Sequence, residues 1–280
     1  MSAEQSIGVI FVTAIAAGLM GSLTGLGGGV LIIPLLTIGF GLDIRVAIGA
    51  SIVSIIATSS GAAAAYVRDH LTNIRVGMLL ELGTTLGGLT GAYVTGYLPP
   101  GALFVLFGLV LLVSVIPMAA RLGEEVPRGI EGDRAARALR LASSYPDRSS
   151  GGEVLYEVKG VPAGLSMMYV AGLFSGLLGI GAGALKVLAM DTAMRLPMKV
   201  STATSNFMIG VTAAASAGVY FWRGDVVPVV AAPVALGVLA GSSVGAQLLL
   251  RFPNVAVRLV FIPVLVGVAI AMLLRGFGVA

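Results

Sequence analysis

The 280-residue sequence contains no cysteine and a single histidine, His70. Without cysteine there is no disulfide framework and no thiolate metal or redox site. Neither histidines nor carboxylates cluster, so a metal enzyme would lack its ligand set. Charge is scarce as well. Asp, Glu, Lys and Arg make up 11% of the chain, against about 25% in a soluble domain. What replaces them is apolar: hydrophobic residues reach 57% and mean hydropathy is +1.02. The net charge of +4 comes from basic residues dispersed at the ends of apolar runs, which speaks against nucleic acid as a partner. Met1 to Ser6 carries Glu4 and no Lys or Arg; a cleaved signal peptide wants a basic start, so Ile7 onward reads as mature membrane structure.

Roughly 20 apolar residues cross a bilayer as a helix. The apolar runs are Ile7–Phe40, Val46–Val67, Val76–Leu98, Ala102–Ala120, Val161–Met190, Val200–Trp222, Val226–Leu250 and Val255–Leu274. The first is 34 residues without a charge, about 51 Å as one helix at 1.5 Å per residue, too long for an apolar layer of about 30 Å. Glycines must break it. Pro99-Pro100 turns between two spans. Between Arg121 and Gly160 lies a polar stretch with seven basic and seven acidic residues. It reads as an extramembrane linker with a short helix from Asp133 to Leu141.

Two of the runs are interrupted by matching glycine clusters. The first is Gly18-Leu-Met-Gly-Ser-Leu-Thr-Gly-Leu-Gly-Gly-Gly29 and the second Gly172-Leu-Phe-Ser-Gly-Leu-Leu-Gly-Ile-Gly-Ala-Gly183, 154 residues apart. In the same register Ser51 meets Ser205, Thr58 meets Thr212, Tyr66 meets Tyr220 and Arg45 falls on Lys199. The organisation read from this is two homologous transmembrane halves, 1–120 and 161–280, joined by the linker 121–160. Paired Gly-broken segments in two halves point to the binding site of a secondary transporter.

Lys and Arg favour the cytoplasmic side. If each broken run is a full span, the linker side holds eleven of them and the opposite side five. If each broken run instead dips in and returns as a hairpin of two short helices, the count becomes thirteen to three. The second model has three spans after each hairpin and inverts the halves. Its cleaner bias favours it, with the linker in the cytoplasm.

Non-helical backbone survives at membrane depth only against a cavity or inside protein. Each break also exposes helix N-termini, whose free N–H groups and positive dipole end attract anions. Gly25, Gly27, Gly28 and Gly29 in one half, with Gly179, Gly181 and Gly183 in the other, let a ligand reach the backbone. Close helix packing through small residues is the competing explanation; the matched pair of clusters favours the ligand.

Gly25-Leu-Gly-Gly-Gly29 followed by Pro34, with Gly49-Ala-Ser51 and Ala203-Thr-Ser205, resembles the TauE/SafE sulfite exporter family over nearly the whole chain. The second copy has Leu188 where the first has Pro34. The resemblance implies an inner-membrane carrier for a small sulfur-containing anion: sulfite, sulfoacetate or a related organosulfonate.

Side chains suited to such an anion follow the breaks. Ser51, Thr204, Ser205 and Asn206 offer hydroxyl and amide donors, and the repeat places Ser51 opposite Ser205. Thr58 and Thr212 read instead as bonding their own helix carbonyls. Glu81 and Lys186 lie inside apolar runs, where ionisable residues are functional candidates by default: Lys186 to supply charge, Glu81 as a proton site, with snorkelling to an interface or mutual pairing as the plainer readings. Arg45 and Lys199 would attract anions at a mouth or anchor span ends. Trp222, Tyr66 and Tyr220 read as interfacial anchors.

The expected function is therefore secondary anion transport by alternating access, with no cofactor. A passive anion channel is the alternative. An intramembrane hydrolase has less behind it, since Leu173-Phe-Ser-Gly176 lacks the glycine of a G-x-S-G motif and His70 sits in a loop. A homodimer is open to either reading.

Overall fold

The computed structural model describes residues 3–24, 29–68, 70–120, 132–147, 152–249 and 254–278. Gly25, Gly27 and Gly28 lie outside the described residues. Helices account for nearly all of the rest. They are α1 (Ala3–Thr24), α2 (Gly29–Pro34), α3 (Ile44–Arg68), α4 (Ile74–Thr95), α5 (Pro100–Ala120), α6 (Arg134–Ala138), α7 (Val161–Leu178), α8 (Gly183–Thr192), α9 (Met198–Trp222), α10 (Pro228–Leu249) and α11 (Asn254–Gly276). The starts of α2, α3, α4 and α5 each precede those of α8, α9, α10 and α11 by the same 154 residues found in the sequence.

Small residues set how these helices pack. Gly83, Gly87 and Gly91 of α4 face the backbone carbonyls of Leu165, Tyr169 and Leu173 of α7 in that order, so the two helices run parallel in close contact. Gly237 and Gly241 of α10 meet the carbonyls of Phe11 and Ile15 of α1 in the same sense. By contrast, Gly101 of α5 faces Gly276 of α11, and Gly108 faces Ala269 and Leu273; α5 and α11 are antiparallel. α4 also runs parallel to α9, from Asn73 beside Thr204 to Thr95 beside Tyr220.

α7 and α8 form a hairpin. The amide of Lys159, just before α7, donates to Met194 O, just after α8, and Gly164 packs on Met194. The chain leaves one end of the molecule along α7, breaks at 179–182, and returns along α8 to the end it left. The arms are unequal: 18 and 10 residues, about 27 and 15 Å. The expected pair of short helices is corrected to one long and one short arm, because the glycines with positive φ lie late in the apolar run. In the first half α2 passes beyond Pro34 into a π-helical turn, Leu35–Gly39. Leu188 stands at that place in α8, which stays regular.

The outside of the bundle is apolar. α4 exposes Met78, Leu82, Leu86, Leu89 and Tyr93 along one face while burying Gly77, Glu81, Thr84, Gly87, Gly88 and Gly91 on the other. Burying polar and small groups and exposing large apolar ones is the reverse of a soluble helix, and it fits a lipid environment. α7 has the length and apolarity of a span.

The linker departs from the all-helical expectation. Asp133 caps a helix, but that helix ends at Ala138, and two strands follow: β1 (Ser143–Asp147) and β2 (Gly152–Tyr156), antiparallel, with Ser143 opposite Tyr156 and Asp147 opposite Gly152. β1 reads Ser-Ser-Tyr-Pro-Asp, which has no apolar alternation to reveal a strand. Its buried side chain is Tyr145, whose ring lies tilted against that of Tyr156 with 6.2 Å between centroids.

Candidate functional site

The second glycine cluster divides its work. Gly172 and Gly176 sit against Thr84 and Gly88 of α4 and serve packing. Gly179 and Gly181 have φ of +62° and +71° and form the break itself, with Ala182 also left-handed at +46°. A β-carbon at Gly179 would lie 2.7 Å from Ile48 Cγ2 of α3. Residues 175–183 are all buried. α8 then starts at Gly183, and its first helical hydrogen bond is Lys186 N–H to Ala182 O. The amides of Gly183, Ala184 and Leu185 therefore have no partner within their own helix.

Serines hold the break in place. The Ser51 hydroxyl donates to Gly179 O at 2.7 Å, across the two halves. Ser205 donates to Gly183 O at 3.3 Å. Ser51 also lies against Gly29, where a β-carbon would come within 2.5 Å of its Oγ. The two serines thus each meet backbone at a helix break instead of each other.

Lys186 is fully buried in the first turn of α8. Its Nζ donates to Thr212 Oγ1 of α9 at 2.7 Å. Thr212 Oγ1 lies 2.8 Å from Glu81 Oε1 of α4 and 2.9 Å from Met208 O. Thr85 donates to the same Glu81 oxygen at 3.0 Å, while Glu81 Oε2 is buried without a partner. The candidate cation and carboxylate are thus joined through one hydroxyl. Thr212 does bond its own helix, as its sequence type suggests, but it also bridges two charges. No sequence signal marked the bridge, because Glu81 and Thr212 are 131 positions apart. The arrangement exists once: 154 residues away, Ile32 stands for Lys186 and Ala235 for Glu81.

The remaining candidates lie elsewhere. Thr204 accepts the Asn73 amide at 3.1 Å, beside the linker. Asn206 donates to Thr202 O of its own helix. Arg45 donates to Leu98 O beyond the C-terminus of α4, and Lys199 lies near the opposite end, at the start of α9. His70 is exposed. Trp222 is 84% exposed, whereas Tyr220 is fully buried, its hydroxyl 2.7 Å from Gly176 O and 3.0 Å from Thr95 Oγ1. Its reading as an interfacial anchor is therefore corrected. The parallel packing of α9 on α4 carries Tyr220 inward, where its hydroxyl finds polar partners.

Comparison with known proteins adds three observations. A family model described as sulfite exporter TauE/SafE matches residues 10–272. The chain is 26% identical over 280 residues, covering 97% of itself and 99% of the relative, to the "Probable membrane transporter protein YunE" of Bacillus subtilis (strain 168). It is also 26% identical over 251 residues, 89% of itself and 91% of the relative, to the "Probable membrane transporter protein YdhB" of the same organism. No solved structure matches.

Proposed function

From the premise that the chain belongs to the sulfite exporter TauE/SafE family, and so is a membrane transporter and not an enzyme, we propose that it carries a small sulfur-containing anion by alternating access. The cargo is sulfite, sulfoacetate or a related organosulfonate. One observation carries this reading: a buried helix break that presents the first-turn amides of α8 beside a buried lysine. Backbone N–H groups, a dipole's positive end and an ammonium are complementary to an oxyanion. Ser51 and Ser205, now spent on Gly179 O and Gly183 O, can turn their hydroxyls to cargo. From the first half, Gly29 reaches this site, lying against Ser51. Thr204 and Asn206, bonded to Asn73 and to Thr202 O, stand outside this cargo site. Arg45 and Lys199, near opposite ends of the bundle, draw anions to the two mouths.

The halves are inverted repeats in this reading. The antiparallel pairing of α5 with α11 supports it, because these are matched elements of the two halves. So does the return of α8 to the end where α7 begins. With three spans after each hairpin, the bias of thirteen basic residues to three puts the linker in the cytoplasm of a bacterial or archaeal inner membrane.

The test is thermal stability of purified protein across sulfite, thiosulfate, sulfoacetate, an alkylsulfonate and a carboxylate control. A ligand at 100 times its Kd stabilises by about 2.7 kcal/mol. Selective stabilisation by one sulfur oxyanion, lost in Lys186→Gln, is the expected result. No shift with any sulfur oxyanion would remove the cargo assignment.

A further inference from the structure

We propose that one proton accompanies each anion and that Glu81 is where it rides. The inference rests on the anion-carrier reading above and concerns how that site keeps its charge balanced.

In the structure described, Lys186 and Glu81 compensate each other through Thr212. All three are buried: Lys186 and Thr212 completely, Glu81 to within 8%. A lone charge in an apolar interior is costly, and removing one partner of a buried pair leaves the other uncompensated. An oxyanion that docks at the α8 N-terminus takes over the Lys186 ammonium. Glu81 is then a second negative charge with no cation of its own. The neutral set is one ammonium, one oxyanion and one carboxylic acid. Anion binding therefore brings a proton onto Glu81, and anion release on the other side returns it. For a singly charged cargo such as hydrogensulfite or an alkylsulfonate, charge balances at each step, with one proton and one anion moved together.

The geometry leaves a place for that proton. Glu81 Oε1 receives Thr212 and Thr85, while Oε2 is buried and has no hydrogen-bond partner. An O–H formed at Oε2 disturbs neither contact on Oε1. The charged group facing Glu81 is Lys186, from α8. α9 contributes Thr212. α7 packs there through Leu165 and Met168, and its Tyr169 sends its hydroxyl to Thr90, more than two turns further along α4. On α4 itself, Arg75 lies near the linker end and donates to Arg140 O. No second carboxylate shares the proton among these groups. Because Ile32 and Ala235 occupy the matched places of the other half, the device is single, and one proton per cycle follows.

Thr212 is a positioning residue in this scheme. Its hydroxyl has one hydrogen. While it accepts from Lys186 it donates either to Glu81 or to Met208 O, so it can let go of the carboxylate without losing a partner.

The experiment uses the full chain in proteoliposomes with a trapped pH dye and a labelled alkylsulfonate. A sulfonate stays ionised near neutral pH, so any proton moved is the protein's. Wild type should acidify the lumen by one proton for each anion taken up. Glu81→Gln should keep the anion-induced rise in melting temperature and lose at least 10-fold of the proton movement per anion. Thr212→Val should lower proton movement per anion, and Thr212→Ser should restore it, which a merely structural role for the hydroxyl would not require. Should Glu81→Gln alone fail to fold, Thr212→Val and Thr212→Ser carry the test. Uptake by wild type without proton movement, or Glu81→Gln moving as many protons per anion as wild type, overturns the coupling and leaves the carrier standing. Absence of both thermal shift and uptake with every sulfur oxyanion overturns the carrier reading, and the coupling with it.

Discussion

The backbone amide of Asn73 donates to Thr204 Oγ1 at 3.1 Å, and this contact sits at the junction of three parts of the molecule. The Asn73 side chain caps α4 by accepting from Val76 N–H, and its amide donates to Leu141 O and to the Tyr156 hydroxyl. One residue thus fixes the start of α4, the side of α9 and the linker. Asn73→Ala removes the cap and leaves Leu141 O and Tyr156 without this donor. A buried group left unsatisfied costs about 1–3 kcal/mol, and a lost cap about 1 kcal/mol. Hydrogen exchange should rise across 132–158 while α7 to α9 stay protected. Unchanged exchange in the linker would mean that Asn73 does not hold it.

Acid should loosen the same region by a separate route. The carboxylate of Asp133 accepts from Ala136 N–H at 2.7 Å, tying the start of α6, and from Gly160 N–H at 2.8 Å, tying the start of α7. The Ala136 amide, then those of Gly160 and Val161, hold its pKa below the usual carboxylate value. A group whose folded pKa is depressed contributes stability that is present above its ordinary value and lost as pH falls through the lowered one. Protease cleavage within the linker should therefore speed up at acid pH below about 4, and Asp133→Asn should flatten that dependence. Equal acid sensitivity in both proteins would place the titrating group elsewhere.

Much of the helical order was legible because duplication writes it twice. Helix starts at Gly29, Ile44, Ile74 and Pro100 repeat at Gly183, Met198, Pro228 and Asn254, the spacing visible in Ser51/Ser205 and Thr58/Thr212. Glu81 and Lys186 stood out because charge is rare in such runs. The Thr212 bridge did not, since it depends on α4 and α9 lying parallel in one register, and a lone threonine in a helix has a local partner available. The strands around Tyr145 and Tyr156 were hidden for a different reason. Their segment is polar, and its order comes from one aromatic pair and the Asn73 bonds to Tyr156 and Leu141.

Glycine at 179 is set by backbone conformation as much as by space. With φ at +62° and Ile48 Cγ2 2.7 Å from a would-be β-carbon, Gly179→Ala meets both a left-handed backbone, about 1–2 kcal/mol for other residues, and a clash. The melting temperature should fall and anion-induced stabilisation should disappear. Gly218→Ala is the matched control: it lies in α9 with nothing near its β-carbon, and helix propensity favours alanine by up to about 1 kcal/mol. If both variants behave alike, the break has no special demand for glycine.

Tyr220 and Trp222 are two residues apart and should respond oppositely to change. Tyr220→Phe deletes a buried hydroxyl held by Gly176 O and Thr95 while keeping the ring under Arg223, 4.7 Å away. Loss of such a hydrogen bond costs about 0.5–1.5 kcal/mol, enough to lower the melting temperature measurably. Trp222→Phe touches a side chain that is 84% exposed and should leave it unchanged in detergent. A fall in Trp222→Phe with none in Tyr220→Phe would reverse the assignment of which aromatic is structural.

Ser51 and Ser205 separate scaffold from cargo contact. If they only brace the breaks, Ser51→Ala must cost more than Ser205→Ala, because its bond to Gly179 O is 2.7 Å against 3.3 Å to Gly183 O. Both losses would then appear in the melting temperature without ligand, on the order of 1–3 kcal/mol for the carbonyl left bare at 179. If the hydroxyls also turn to an oxyanion, each variant loses part of the ligand-induced rise beyond its own baseline shift, and the ranking can invert. Measuring both quantities on both variants decides the matter, since bracing moves the baseline alone and cargo contact moves the ligand response. A baseline fall with the full anion response intact would remove the two serines from the binding site and leave it to the amides of α8 and to Lys186.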